Sequence, residues 1–222
     1  MEDILKDYLP DRLKKAKALL EKKYNEEFEI TQYAGQQMME SFYTVNAAAM
    51  SDGLPFKAYI DVEGDGFSDC YGARRLAMKY SDIISRNLDA VHGYVYVYSS
   101  TEIDDIPLSG ADVSVKEFSE LYPVKKMNVN VFLCSEDKNA ESLYETFGKA
   151  FEGIEDFSGL FSLYIADEKK LTDIQNYIET NTGLYYDFKE MTDDCKAFNC
   201  SYKNGRLQLA KDDFVAKAGE LL

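Results

Sequence analysis

Residues 42–88 read FYTVNAAAMSDGLPFKAYIDVEGDGFSDCYGARRLAMKYSDIISRNL and decide the fold class. Phe42–Met50 and Phe56–Val62 alternate apolar and polar side chains around a Ser-Asp-Gly-Leu-Pro turn, so we predict an antiparallel hairpin. Apolar residues then recur at three- and four-residue spacing from Ala73 to Leu88, which predicts an amphipathic helix. A hairpin followed directly by a helix indicates an α+β protein.

The segment before this hairpin adds one helix and one strand. Apolar residues at helical spacing end at Tyr24, and Asn25 is expected to stop the helix. Because proline is costly inside a helix, we place Pro10 near its start and residues 4–9 in a separate turn or a kinked lead-in. Phe28–Tyr33 is predicted to be the first strand.

The segment after the long helix alternates strands and helices. The full predicted order is α-β-β-β-α, then β-α-β-α-β, then α-β-β-β-α, which indicates a mixed or antiparallel sheet packed with helices. The outer segments share one order, so a weak internal duplication is a hypothesis. We divide the chain into segments 1–90 and 91–222, forming either one compact unit or two tightly packed subdomains. The predicted strands are Val91–Tyr98, Met127–Cys134, Leu160–Ala166, Leu184–Met191, Ala197–Tyr202 and Arg206–Leu209, and two of the predicted helices are Val115–Leu121 and Ala140–Phe151.

The composition excludes several classes of protein. The chain has 222 residues, 45% of them hydrophobic, and a formal net charge of −15, so it is too apolar to be disordered. The negative charge argues against binding to nucleic acid or to anionic lipid, since both depend on Lys and Arg. No apolar run approaches the ~20 residues of a membrane span, and no signal peptide is recognised. We therefore expect a cytoplasmic protein, while an exported form with its leader removed stays open.

The charge is distributed unevenly. Residues 1–23 carry a net charge of +2 and the remainder carries −17. The lysines of this first segment either form the solvated face of the helix or contact an acidic surface, whether of a partner or of the chain itself.

The four cysteines do not form a metal-binding pattern. Cys70, Cys134, Cys195 and Cys200 include no C-x2-C pair and no histidine nearby. A disulfide between Cys195 and Cys200 is geometrically conceivable. The low cysteine content nevertheless favours a reduced protein, and whether this pair is oxidised is left open.

Asp61–Asp69 is the segment most suggestive of a ligand. Its oxygen-bearing side chains and Gly66 match the first part of a calcium loop, but position 12 is Gly72 rather than glutamate, so any divalent cation would bind weakly. The competing interpretation is a strand-to-helix turn with Asp69 as the helix cap.

Two other features carry less chemistry. His92 is the only histidine, and no nucleophile elbow or zinc motif accompanies it. Tyr94, Tyr96 and Tyr98 share one face of a strand, which suits either a recognition surface or the buried face of a central strand. No residue is therefore assigned as catalytic, cofactor-binding or metal-binding, and no cofactor is expected.

Two motifs carry a resemblance to a known group of proteins. LLEKKYNEEFEI (19–30) and FKAYIDVEGDGFSDCY (56–71) join a helix ending in Lys-Tyr to an acidic strand and an Asp-Gly turn. Over about residues 10–90 this resembles uncharacterised proteins of Gram-positive bacteria. The resemblance implies no activity.

Two functional hypotheses follow from these observations. The first is an acidic protein-binding module without catalysis, whose partner is a basic protein that contacts the acidic body near Ser99–Asp112. The alternative is a carboxylate-based hydrolase, with a weak divalent cation near Asp61–Asp69. The sequence leaves the oligomeric state open.

Overall fold

The computed structural model describes two compact units. One contains the described residues up to Arg75 and the other contains those from Leu76 onwards; we call them the N-terminal and C-terminal units. The predicted division into segments 1–90 and 91–222 stays a prediction. The described residues are 2–36, 39–88, 95–101, 117, 120, 127–134, 139–150, 152, 159–180, 192–204 and 206–222.

The N-terminal unit places one helix against an antiparallel sheet. The strands follow one another in the order β1-β2-β3-β4, with the predicted hairpin as β2 and β3 at its centre. The helix α2 begins in this unit and continues beyond it. The elements are α1 (Glu2–Tyr24), β1 (Phe28–Gly35), β2 (Phe42–Ala49), β3 (Pro55–Asp61), β4 (Phe67–Asp69) and α2 (Tyr71–Leu88).

The core of this unit lies between α1 and one face of the sheet, which we call the inner face. Ala16 and Leu20 of α1 are fully buried together with Phe28 and Phe56, whose rings meet edge to face at 5.5 Å. The alternation in β2 and β3 directs every second side chain to this face. The opposite face, the outer face, carries Thr44, Asn46, Lys57 and Tyr59.

Two local predictions for the N-terminal unit are wrong. The helix α1 runs from Glu2 through Pro10, so the separate turn is wrong, while the alternative of a kinked lead-in stays a prediction. Packing of the later turns of α1 outweighs the local cost of proline. The short strand β4 was also missed, because three residues are too few to show a periodicity. Asn25 ends α1 as predicted, with a left-handed φ of 53°.

The C-terminal unit is built on a mixed sheet of five described strands. Their order is β5-β6-β7-β8-β9; β6 and β7 are parallel, and every other described pair is antiparallel. The crossover between the parallel strands contains the helix α3. The elements are β5 (Val95–Thr101), β6 (Met127–Cys134), α3 (Ala140–Gly148), β7 (Gly159–Ala166), α4 (Glu168–Thr180), β8 (Lys196–Lys203), β9 (Arg206–Leu207) and α5 (Lys211–Leu221).

Helices cover both faces of this sheet. On one face, Phe161 of β7 contacts Phe147 of α3 at 5.1 Å between ring centroids, and Phe147 in turn contacts Phe214 of α5. On the other face, Phe132 of β6 packs in a cluster with Leu171 of α4. The unit therefore has three layers.

The predicted fold class is confirmed. The protein is α+β, with one antiparallel and one mixed sheet and roughly the predicted element order. The predicted strand Leu184–Met191 and most of the predicted helix Val115–Leu121 lie outside the described residues, and the internal duplication stays a prediction. Among the described helices, none combines the length and the apolar character needed to cross a bilayer.

Candidate functional site

The segment Asp61–Asp69 connects two strands. The Asp61 N–H donates to the Gly66 carbonyl at 2.9 Å, and the Asp61 carboxylate accepts the Glu63 N–H at 3.0 Å. The interpretation as a strand-to-helix turn therefore needs correction, because β4 follows the turn and α2 begins only at Tyr71.

A lysine of α1 is bonded to the backbone of this turn. The Lys15 ammonium donates to the carbonyl oxygens of Asp61, at 3.0 Å, and of Gly64. These two bonds join α1 to the turn that follows β3. Within the described part of the chain, no three acidic, cysteine or histidine side chains are gathered to bind a metal.

Asp69 is the centre of a buried polar cluster on the inner face. Its carboxylate has no exposed surface and accepts bonds from the Lys23 ammonium at 2.8 Å and the Tyr24 hydroxyl at 2.5 Å. The Tyr71 N–H, in the first turn of α2, donates to it at 3.0 Å, so Asp69 does cap the helix. We call Lys23, Tyr24 and Asp69 the Asp69 cluster.

The bonds of the Asp69 cluster join α1 to the start of α2. Burial raises the pKa of Tyr24 well above its usual range, and the neighbouring Asp69 charge raises it further. The phenol therefore stays protonated and donates its hydrogen bond at all ordinary pH values. The Asp69 carboxylate thus accepts three hydrogen bonds from α1 and α2.

A second polar network surrounds Glu26. Its carboxylate accepts bonds from the Tyr71 hydroxyl at 2.8 Å and from Arg75 at 3.0 Å, and Arg75 also approaches Asp52 at 3.9 Å. Burial raises the pKa of Tyr71 to about 12, and the bond to Glu26 adds to the effect. The network joins the start of α2 to the chain that enters β1. Within it, the charge of Glu26 is balanced by that of Arg75.

The cysteines are free thiols in the structure. Cys195 packs beside α4, and Cys200 lies within β8. Burial raises the pKa of Cys195 and raises that of Cys200 to about 12, so neither side chain is a thiolate at neutral pH. The reduced state of the protein stays a prediction.

The tyrosine face falls on a strand at one end of the described sheet. Tyr96 is paired with Phe132 and Tyr98 with Asn130. Both interpretations of the tyrosine face, as a recognition surface or as the buried face of a central strand, stay predictions. His92, Tyr94 and residues 102–112 of the predicted acidic contact surface lie outside the described residues.

Sequence reasoning missed a pocket on the outer face of the N-terminal sheet. It has a volume of about 380 Å³, within the ~300–1,000 Å³ range of small-ligand sites. The only sequence signal was the alternation in β2 and β3, which places Thr44, Lys57 and Tyr59 on the face opposite the core. We call this cavity the outer-face pocket.

Comparison with known proteins gives one informative result. No family model matches the chain, and no curated protein matches it by sequence. A crystal structure of a DUF5037 family protein from Ruminococcus gnavus superimposes with a TM-score of 0.69, covering 92% of this chain and 98% of that one. The two sequences are 18% identical. The likeness is one of fold.

This similarity bears on the resemblance noted from the sequence. Ruminococcus gnavus is a Gram-positive gut bacterium and the DUF5037 family is uncharacterised, which agrees in part with the two motifs in residues 10–90. The structural match extends well beyond that segment. It brings no activity, ligand or partner to this chain.

Proposed function

We propose that this protein is a protein-binding module without catalysis of its own, and that it recognises a basic partner through an acidic surface. The observation that carries the proposal is the different use of the two signs of charge. Lys15 and Lys23 of α1 are directed onto the N-terminal sheet and bonded there, whereas Asp193 and Asp194 before β8 are exposed. Lys15 is bonded to carbonyl oxygens and so pairs with no acid there, whereas Asp193 and Asp194 keep their negative charge at the surface.

The acidic surface nominated for this role lies at the start of α4. Asp194, with 88% of its side chain exposed, pairs loosely with Lys170 at 3.7 Å. Asp167 lies nearby, since the charges of Asp167 and Asp194 both raise the pKa of Cys195. Glu168 and Asp193 are exposed beside them. We call Asp167, Glu168, Asp193 and Asp194 the α4 acidic patch. Asp167 and Glu168 also suit a helix N-terminus, so Asp193 and Asp194 carry the test.

The described carboxylates supply no comparable support for the hydrolase alternative. Asp61 and Asp69 are engaged by Glu63, Lys23 and Tyr24, and Lys15 is bonded to carbonyl oxygens of the turn that begins at Asp61. A general acid or base needs a carboxyl group that can reach a substrate. Binding to nucleic acid is no part of the proposal, since the net charge is −15.

The test is affinity capture from the source organism's lysate at low and high salt, followed by titration of the identified partner. Because screening strengthens as the Debye length shortens from ~10 Å at 0.1 M, we expect binding to weaken strongly with salt. The double variant D193N/D194N should weaken it, whereas D212N/D213N in α5 makes the same charge change elsewhere and should not. Recovery of no salt-sensitive partner, or equal weakening by both variants, would contradict the proposal.

A further inference from the structure

We propose that the outer-face pocket binds the carboxylate of a small ligand with an apolar body, and that Lys57 is the residue that receives it. This site is separate from the α4 acidic patch and concerns a different kind of ligand. The two proposals can therefore fail independently. The pocket is lined by Gln36, Glu40, Phe42, Thr44, Lys57 and Tyr59, among others.

Lys57 differs from Lys15 and Lys23 of α1, whose ammonium groups are bonded to carbonyl or carboxylate oxygens. Its side chain is partly buried on the outer face, and the described residues offer its ammonium neither an ion pair nor a hydrogen bond. Withdrawing a positive charge from water is costly unless a partner compensates. In a protein with 40 acidic residues, such a charge at a pocket is suited to an anion supplied from outside.

A polar atom without a hydrogen-bond partner among the described residues lies next to Lys57 in the sheet. Asn46 is its cross-strand neighbour, and 7% of the residue is exposed. The Asn46 amide nitrogen donates to Gln32 at 3.0 Å, but the buried Asn46 oxygen has no donor in the described structure. Buried acceptors are nearly always satisfied in folded proteins. This oxygen is an acceptor and would take a donor such as a ligand N–H, so the carboxylate itself would be received by Lys57 alone.

The rest of the pocket indicates the size and nature of the ligand. Phe42 and Tyr59 meet edge to face at 5.6 Å and form an apolar wall. Gly35 has a φ of +110°, and open space lies where a side chain would stand. The space can hold an apolar group about the size of an amino-acid side chain. Glu40 on the same lining makes a singly charged carboxylate more favourable than a dianion.

The experiment titrates the protein with three probes and follows backbone amide NMR shifts. The probes are N-acetyl-L-phenylalanine, L-phenylalanine and L-phenylalaninamide. Both carboxylates should shift resonances around Thr44 and Lys57, and the amide should not. Tighter binding of the N-acetyl compound would indicate the C-terminus of a peptide, and tighter binding of the free amino acid would indicate a metabolite.

Variants assign the effect to the pocket. A charge-assisted hydrogen bond is among the strong ones, so K57Q should weaken carboxylate binding at least about tenfold. K17Q, on the exposed face of α1, is the matched control and should leave binding unchanged. T44Y keeps a good strand former and fills the pocket, so it should abolish binding. Equal binding of the amide, equal binding by K57Q, or no binding of either carboxylate would overturn the proposal.

Discussion

The lysines on the two faces of the N-terminal sheet differ in the bonds that they make. On the inner face, the Lys23 ammonium is 2.8 Å from a fully buried carboxylate, and Lys15 closes a turn through two carbonyls. On the outer face, Lys57 lines a pocket and receives no such partner from the described residues. A cation whose bonds are all made within the protein serves the fold. A partly buried cation that lacks them is available to a ligand.

The largest expected effect comes from removing the acceptor of the Asp69 cluster. D69A leaves Lys23 and Tyr24 without their shared partner, and breaking such a buried pair typically costs about 3–5 kcal/mol. Because Lys23 keeps some exposure, we expect the free energy of unfolding, measured with urea, to fall by about 3 kcal/mol. The control D65N, in the exposed part of the same segment, should stay within about 0.5 kcal/mol of wild type.

The ionisation of Tyr24 should make the free energy of unfolding depend on pH in the alkaline range. Its pKa is raised in the folded state, so above its ordinary value of 10.0 the unfolded chain releases the proton first. The stability that the neutral phenol contributes is complete below that pH and declines above it. Urea unfolding at pH 7 to 11 should show this decline.

The variant Y24F separates the titration from the hydrogen bond. It should cost about 1 kcal/mol at pH 7 and decline less steeply above pH 10, since one raised phenol is absent. Tyr71, with a pKa raised to about 12, should preserve part of the decline. An unchanged slope in Y24F would mean that Tyr24 ionises in the folded state as it does in water.

Lys15 allows a test of its role in the turn after β3. K15M removes a charged donor from two carbonyls and should destabilise the protein by about 1–2 kcal/mol.

Calcium at millimolar concentration should neither produce heat with the wild-type protein nor raise its melting temperature. A calorimetric signal would instead support a divalent cation near Asp61–Asp69.

The smallest expected effect on stability is that of Lys57. Because its ammonium takes no part in the described ion pairs, K57Q should change the free energy of unfolding by less than about 0.5 kcal/mol. The same variant is expected to weaken ligand binding. A loss comparable to that of K15M would place Lys57 among the structural lysines and remove the contrast between the two faces.

The sequence predicted what depends on local periodicity. The hairpin in residues 42–62, the long helix after it and the end of α1 at Asn25 follow from alternation, helical spacing and turn chemistry. Asp69 was also recognised as a cap. These features are decided within a few residues along the chain.

The contacts that decide the chemistry join residues far apart in the sequence. Asp61–Asp69 resembles part of a calcium loop when read alone. Nothing near it in the sequence reveals that Lys15 of α1 donates to its backbone carbonyls. The pairing of Tyr71 with Glu26 and the placement of Asn46 beside Lys57 depend equally on tertiary packing and strand register. Pro10 shows the same limit, because packing overrides a local penalty.

The parallel pairing of β6 with β7 has a kinetic consequence. In the N-terminal unit, Val45 finds Ala58 across a short hairpin, whereas in the C-terminal unit Val131 can meet Leu163 only after the chain through α3 has folded back. Pairings between residues far apart along the chain slow folding, because the loop must close before its contacts form. In refolding experiments, hydrogen-exchange protection should therefore reach β2 and β3 before it reaches β6 and β7.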